Sequence, residues 1–499
     1  MNSPRNIWTS SPRKEVTTSF IAPASVDAGA SPILETMRHT PCAIMNRMED
    51  IISLCKRRGF IYQGSEVYGG LAGTWDWGPL GVALKRNVMQ QWWHFFVDCR
   101  PDIYGVDAAI IMNPKTWQAS GHVATFADPL VDDVVTHRRF RADHLLKDNG
   151  IEATDGMSDA EIDKLIEDNH VKSPDGNQLS KVKRFNMMFR TSVGAVESDD
   201  AVAYLRPETA QGIFTNYRNV VDSFYPDLPF GIAQQGKSFR NEISPRDFVF
   251  RSREFEQMEI EYFINPARWQ ESFEDWLKLE HRFLEQVMGL PAAMIHDLEV
   301  PAQDRAHYSK RTVDIEFDYP IGRGELMGLA YRTDFDLMNI QRVSGKSMEY
   351  RPKDGSKPFV PHVIEPAIGV ERLVMAILAA DYAEDEVGGE KRKLLKLPKH
   401  LAPVLVTVSP LLKNKPELVT KARQVYDIVQ QHVPGRVSWD DSGNIGKRYR
   451  KADEIGVPYC LVVDFDSLTD GAVTVRDRDT TKQTRVKIDQ LTDYLQVSG

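Results

Sequence analysis

A chain of 499 residues, 42% hydrophobic and 27% charged, has room for about three globular domains. Its net charge of −9 argues against broad, non-specific polyanion binding, and no apolar run reaches the ~18 residues that a membrane span needs. Four scattered cysteines, Cys42, Cys55, Cys99 and Cys460, lack metal-ligand spacing and read as reduced thiols of a cytoplasmic protein. No short apolar stretch behind a basic start argues for secretion.

Residues 1–44 are rich in Ser, Thr, Pro and Ala without periodicity, which predicts a disordered extension. From 45 to 383, strands and helices mix without a repeated βαβ rhythm, so the expected class is α+β with an antiparallel sheet flanked by helices. Leu80–Val97 reads as a helix and DIYGVDAAIIM, 102–112, as a strand. Residues 131–185 form a polar insertion in which Ser158 and Glu161 make a capping-box pattern. Gly231–Ile264 alternates as an antiparallel hairpin does, and 268–289 carry the apolar stripe of a helix. Residues 384–400 combine paired glycines with a charge run and read as a linker. Beyond them, 401–499 predict a compact α/β module with two buried strands, a helix and a closing hairpin.

Gly231–Ser238 satisfies the P-loop pattern G-x-x-x-x-G-K-[ST] letter for letter. That pattern cradles phosphates only where a strand hands the loop to a helix N-terminus. After Ser238 the chain reads FRNEISPRDFVF, with Pro245 in the second turn of any such helix. Phe239, Asn241 and Ile243 alternate with Arg240, Glu242 and Ser244 at strand periodicity, so the hairpin reading is preferred. On the return strand Phe255, Gln257, Glu259 and Glu261 share a face. A guanidinium binds phosphate bidentately, a ring stacks on a purine, and a carboxylate holds Mg²⁺ or an amine. A solvated hairpin laced with cross-strand ion pairs has the same letters, and both readings stay open.

The segment resembles motif 2 of class II aminoacyl-tRNA synthetases, here Phe239-Arg240-Asn241-Glu242, a loop, then Arg251, Phe255 and Glu259. EPAIGVERLVMAIL resembles their motif 3, with Gly369 and Arg372. GGLAGTWDWGPLG, WQASGHVATFADP, YLRPETAQGIF, GELMGLAYRTDFDL and GKRYRKADEIGVPY narrow the resemblance to the homodimeric glycyl-tRNA synthetases, over roughly residues 46–499. The resemblance implies a class II catalytic domain, a C-terminal anticodon-binding domain, and glycine, ATP, Mg²⁺ and tRNA-Gly as ligands of a homodimer. Arg240, Glu242 and Arg372 would be catalytic, with Arg240 on the α-phosphate and Phe255 stacked on adenine. Asn241, Phe250, Arg251, Arg253, Leu326, Gly369 and Glu371 would complete the ATP site, and Glu325 would bind Mg²⁺. Glycine would meet Arg100, Glu208, Phe255, Glu256, Gln257, Glu259, Glu365, Ala367 and Gly369. Lys447, Arg448 and Arg450 would contact tRNA.

Two departures stand out. Motif 3 usually reads Glu-Pro-Ser, whereas this chain has Glu365-Pro366-Ala367, which predicts a raised glycine KM. Some relatives carry a zinc ribbon in the insertion; here DDVVTHRRF and KSPDGNQL hold no cysteine, and His137, His144 and His170 are irregularly spaced, so no structural zinc is expected. The rival readings are a prolyl or threonyl synthetase, an RNA-binding paralogue without catalysis, and the P-loop NTPase.

Overall fold

The computed structural model describes residues 41–151, 157–195, 201–243, 245–433 and 435–496. The extension expected over residues 1–44 falls outside them apart from the start of a helix, Pro41–Arg58.

At the centre lies a seven-stranded sheet of β1 (Ile103–Gly105), β2 (Phe230–Phe239), β3 (Glu254–Ile264), β4 (Ile295–Glu299), β5 (Arg311–Tyr319), β6 (Gly322–Thr333) and β7 (His362–Gly369). The spatial order is β4-β5-β6-β7-β3-β2-β1, antiparallel except where β1 runs parallel to β2. Strand alternation decides what each face does. On β3, Met258, Ile260, Tyr262 and Ile264 enter one core, with Phe273 and Trp276 of α2 (Trp269–Arg282) and Leu373 and Ile377 of α3 (Val370–Asp381). On the opposite face Phe263 packs with Phe230 under Ile213, Phe214 and Tyr217 of α1 (Ala210–Phe224). The rest of that face carries Phe255, Gln257, Glu259 and Glu261, the polar row that sequence alternation predicts.

Three expectations change in extent. The strand expected over 102–112 is regular only over Ile103–Gly105; beyond it the Ala108 carbonyl is taken by the Arg206 guanidinium at 2.8 Å, and Ile111 makes an isolated bridge to Leu205. The helix expected over Leu80–Val97 is α-helical over Pro79–Trp93 and widens to a π turn over His94–Asp98. Residues 384–400, expected as a linker, carry a hairpin of Tyr382–Val387 and Glu390–Leu395. Gly388 and Gly389 make its turn with φ of 63° and 81°, a left-handed conformation that glycine adopts without a Cβ clash.

Within the insertion, Ala127–Asp132 pairs with Arg139–Arg141 and Lys183–Asn186. Val131, Leu146, Ile162 and Ile166 give it a core of its own, and the Ser158–Glu161 capping box is formed. In the last hundred residues, Val437–Trp439, Val406–Pro410 and Tyr459–Val463 run parallel and a hairpin of Ala472–Asp477 and Gln483–Lys487 closes the sheet. Helix Pro416–His432 covers it with Ala422, Val425 and Val429. Among the described residues no helix is long and apolar enough to cross a membrane.

Candidate active site

Gly231–Ser238 lies wholly inside β2, where Ser238 pairs with Phe255 and Lys237 with Glu256 of β3. Among the described residues between β2 and β3 there is only a 3-10 turn, Phe248–Phe250, and no α-helix takes over from Ser238 as a P-loop requires. The strand stops at Phe239, short of the alternation read from sequence, and the chain turns as the Glu242 N–H bonds the Arg240 carbonyl at 2.7 Å. That turn still delivers both side chains to one cleft. Arg240 Nε donates to the Pro207 carbonyl at 3.1 Å, and its guanidinium lies 5.5 Å from the Phe126 ring and 5.3 Å from the Phe255 ring.

The second cation comes from the junction of β7 and α3. Arg372 reaches the Glu325 carboxylate at 2.8 Å and lies 4.5 Å over the Phe250 ring. A Cβ on Gly324 would meet Phe250 Cζ at 2.8 Å, so glycine there lets the ring lie against β6. Glu242 faces Arg251 at 3.7 Å. These groups, with Phe255, Gln257, Ala367, Gly369 and Glu371, line an open cleft of about 750 Å³. Arg372 holds the Glu325 carboxyl below its ordinary value. Burial pushes the Glu371 carboxyl up to about 7, although it accepts the Glu256 N–H at 2.9 Å. Arginines with an aromatic ring beside each one suit a polyphosphate that carries a flat base.

One step further along the same face of β3 the lining turns acidic and closed. Glu259 is 2% exposed, accepts a hydrogen bond from Thr209 Oγ1 and pairs in register with Ala367. Glu365 of β7 accepts from Arg332 Nη1 at 2.8 Å, and Arg332 also bonds Asp336 at 2.8 and 3.0 Å. Glu208 lies 3.3 Å from His122 Nε2. Burial works to raise the Glu208 carboxyl, but His122, Arg332 and Arg240 outweigh it and hold it at about 2. A buried cluster of carboxylates beside that open cleft fits a compact ammonium compound.

Residues 190–381 match the family described as tRNA synthetase class II core domain (G, H, P, S and T), and 405–497 match the anticodon binding domain. A glycine–tRNA ligase of Deinococcus radiodurans is 43% identical over 498 residues, covering 90% of this chain and 98% of that relative. Those of Cutibacterium acnes and Lachnoclostridium phytofermentans are each 45% identical, over 91% and 90% of this chain and 97% and 98% of their own. The chain belongs to the glycine–tRNA ligase family.

In this glycine–tRNA ligase framework most expected positions converge, and several do not. Leu326 is 1% exposed in the core on the other face of the sheet, as alternation from Glu325 requires. Glu256 falls one residue out of phase with Phe255 and Gln257, so it leaves the site and pairs with Lys85. Arg253 bonds the Glu242 and Ala72 carbonyls at 2.9 and 2.8 Å, which pins the loop instead of lining the cleft. The Asn241 N–H bonds the Met187 carbonyl at 2.7 Å, and Asn241 is not among the lining residues. Arg100 lines a separate cleft, paired with Asp102 at 2.7 Å and lying over Trp276 at 5.0 Å. Arg448 is 4% exposed and donates to the Pro410, Asp441, Ser442 and Gly443 carbonyls, so it braces a loop, whereas Lys447 and Arg450 are exposed. Sequence reading missed Arg332, His122, Thr209 and Asp336. The Arg332–Asp336 spacing of four residues was the one available signal for that pair.

Proposed function

We infer that this chain activates glycine with ATP and then transfers the glycyl group to the 3′ end of tRNA-Gly. The observation that carries the reading is the adjacency of two chemistries on one face of β3. Arg240 and Arg372 flank an open cleft, and the next residues along the strand enter a buried carboxylate pocket. In activation a glycine carboxylate oxygen attacks the α-phosphorus, an O–P bond forms, and pyrophosphate departs with the electron pair of the broken bond. The attacking group is already ionised, so no protein base is needed. Arg240 holds the α-phosphate and Arg372 the leaving phosphates, and positioning with charge neutralisation carries the step. The pocket of Glu208, Glu259 and Glu365 orients the ammonium, and a substrate methyl would have to overpack it.

Glu325 lines the cleft, with Asp314 and Glu316 near it, and burial and these neighbours push the Asp314 carboxyl up to about 7. Such an oxygen-only set fits Mg²⁺, with Glu325 and Asp314 as its holders, and the ion supplies neutralisation of phosphate charge when bound. Lys447 and Arg450 face solvent on helix Ile445–Glu454, a surface suited to tRNA. Domains at 45–383 and 401–499 would divide activation from tRNA recognition. Phe224 and Tyr225, 64% and 54% exposed beside the edge strand β1, give an apolar patch suited to a homodimer. Unpaired Cys55, Cys99 and Cys460 suit the cytoplasm.

The test is amino-acid-dependent ATP–pyrophosphate exchange, then charging of tRNA-Gly. Glycine should support exchange where alanine, proline and threonine do not. Arg240→Ala should lose about 10²–10³-fold in rate, while Lys237→Ala retains most of it. Equal exchange with proline or threonine would contradict the reading.

A further inference from the structure

Behind the Gln257–Ala367 edge of the cleft, acidic side chains outnumber the cations that reach them. Glu259, Glu261 and Glu365 are 2%, 0% and 7% exposed, and each places a carboxylate oxygen within 4.8 Å of the other two. The register that pairs Glu259 with Ala367 and Tyr262 with Ile364 sets Glu261 across from Glu365. The guanidinium that reaches this group is that of Arg332, and it is divided between Glu365 and Asp336. On β6 the alternation that sets Ala330 opposite Glu365 brings Arg332 to the same face, beside a register shift between Tyr331 and Thr333. Among the described residues neither oxygen of Glu261 has a hydrogen-bond partner.

The other groups facing the cluster do not balance it. Glu208 adds a further carboxylate from the start of α1, accompanied by His122 and, at longer range, Arg240. Thr209 contributes a neutral hydroxyl to Glu259. Tyr308 lies under the Arg332 guanidinium at 3.8 Å and is a neutral phenol. Three carboxylates sharing that space with part of one guanidinium cannot all be ionised in a low-dielectric interior.

We propose that in the free protein this cluster holds a proton in the place that the ammonium group of glycine later fills, so that glycine binding expels the proton to solvent. The proposal rests on the reading of the chain as a glycine-activating enzyme. The proton that leaves is the one on the Glu259–Glu365 pair, which stands nearer the cleft. Its O–H bond breaks, the proton passes to water or buffer, and an ammonium N–H donates to the carboxylate left behind. Glu261, deeper and facing no donor, stays protonated before and after, which keeps the exchange one charge for one. Burial, with mutual repulsion added, raises the Glu259 and Glu261 carboxyls well above their ordinary value. Burial likewise raises Glu365 in spite of Arg332.

This exchange gives the pH dependence a definite sign. Below the raised titration of the pair the free protein carries the proton, and glycine must displace it. Glycine affinity therefore rises about tenfold for each pH unit over that range and levels off once the pair has ionised. The direct experiment is calorimetric titration of glycine into the full chain at one neutral pH, in phosphate and in Tris. The apparent enthalpies should differ by the ionisation heat of about one proton per site. Glu259→Gln should abolish the buffer dependence and Glu261→Gln should keep it. Equal enthalpies in the two buffers overturn the proposal, as does a release lost in Glu261→Gln but kept in Glu259→Gln. Absence of saturable glycine binding in either buffer sinks the glycine reading itself, and the proposal with it.

Discussion

Ala367 sets a methyl on the cleft side of β7, paired across to Glu259 of β3 and Gly328 of β6. A hydroxyl there, as the resembled family usually has, would add one donor beside Glu259 and Glu365, the carboxylates proposed to hold the substrate ammonium. One neutral hydrogen bond contributes about 0.5–1.5 kcal/mol, or about a two- to tenfold change in affinity. Ala367→Ser is therefore expected to lower glycine KM by about that factor with kcat kept. Steady-state exchange kinetics measure both, and an unchanged KM would mean the hydroxyl has no role in this chain. Residues such as Arg240 and Arg372 were legible in the sequence because their motifs fix them to an element end. Arg332 was not, since its partner Glu365 comes from a neighbouring strand and the pairing of the two strands is not written in either segment. Glu256 shows the reverse error: it stands inside the motif, yet the strand period turns it to the far face.

At the scale of elements, the insertion depends on one carboxylate. Asp133 is fully buried and accepts from Ser173 Oγ at 2.5 Å, Asn177 Nδ2 at 3.1 Å and the Val135 and Thr136 N–H groups at 2.8 Å. It thereby joins the two turns, DDVVTHRRF and KSPDGNQL. Burial opposes its charge, but these donors win and hold the carboxyl well below its ordinary value. The stability it contributes is thus present above the unfolded carboxylate value of about 3.9 and lost as pH falls through the folded one. Asp133→Ala, which strands four donors, is expected to speed proteolytic cleavage between 127 and 186 while glycine-dependent exchange stays near that of the parent. Cleavage at the parental rate would show that the core of Val131, Leu146 and Ile166 suffices alone. From sequence, the capping box and the charged composition of this region were plain. The tie between its turns was not, because the partners lie about forty residues apart. The hairpin read as a linker was hidden for a related reason. Paired glycines and alternating charge describe a flexible tether and a tight, ion-paired hairpin equally well.

Across the whole molecule, that hairpin joins the large sheet's unit to the last hundred residues. Arg392, 4% exposed, bonds Asp385 of its own hairpin at 2.7 Å, Asp453 at 3.2 Å and the Arg478 carbonyl at 2.8 Å. Asp453 is gripped from its other side by Arg476 at 2.8 and 3.0 Å. Nearby, Arg58 reaches Glu454 at 2.5 Å, and Asn87 donates to the Leu401 and Ala402 carbonyls at 3.2 and 3.1 Å. Asp453 and Glu454 sit at the end of the helix that presents Lys447 and Arg450 to solvent. Removing the Arg392 guanidinium leaves Asp385 without its partner and a carbonyl without its donor, and loosens the seat of that helix. None of these groups lines the cleft between Arg240 and Arg372, so Arg392→Ala should separate the two half-reactions. Glycine-dependent pyrophosphate exchange is expected to stay within about twofold of the parent, since distant sites without shared partners act independently. Charging of tRNA-Gly should fall by about tenfold or more, mostly through the tRNA KM, because a mispositioned docking surface weakens binding before chemistry. Equal losses in both assays would instead mean that Arg392 supports the fold of the catalytic unit. A melting curve recorded on the same preparation distinguishes that case, since a general loss of fold lowers the midpoint together with exchange.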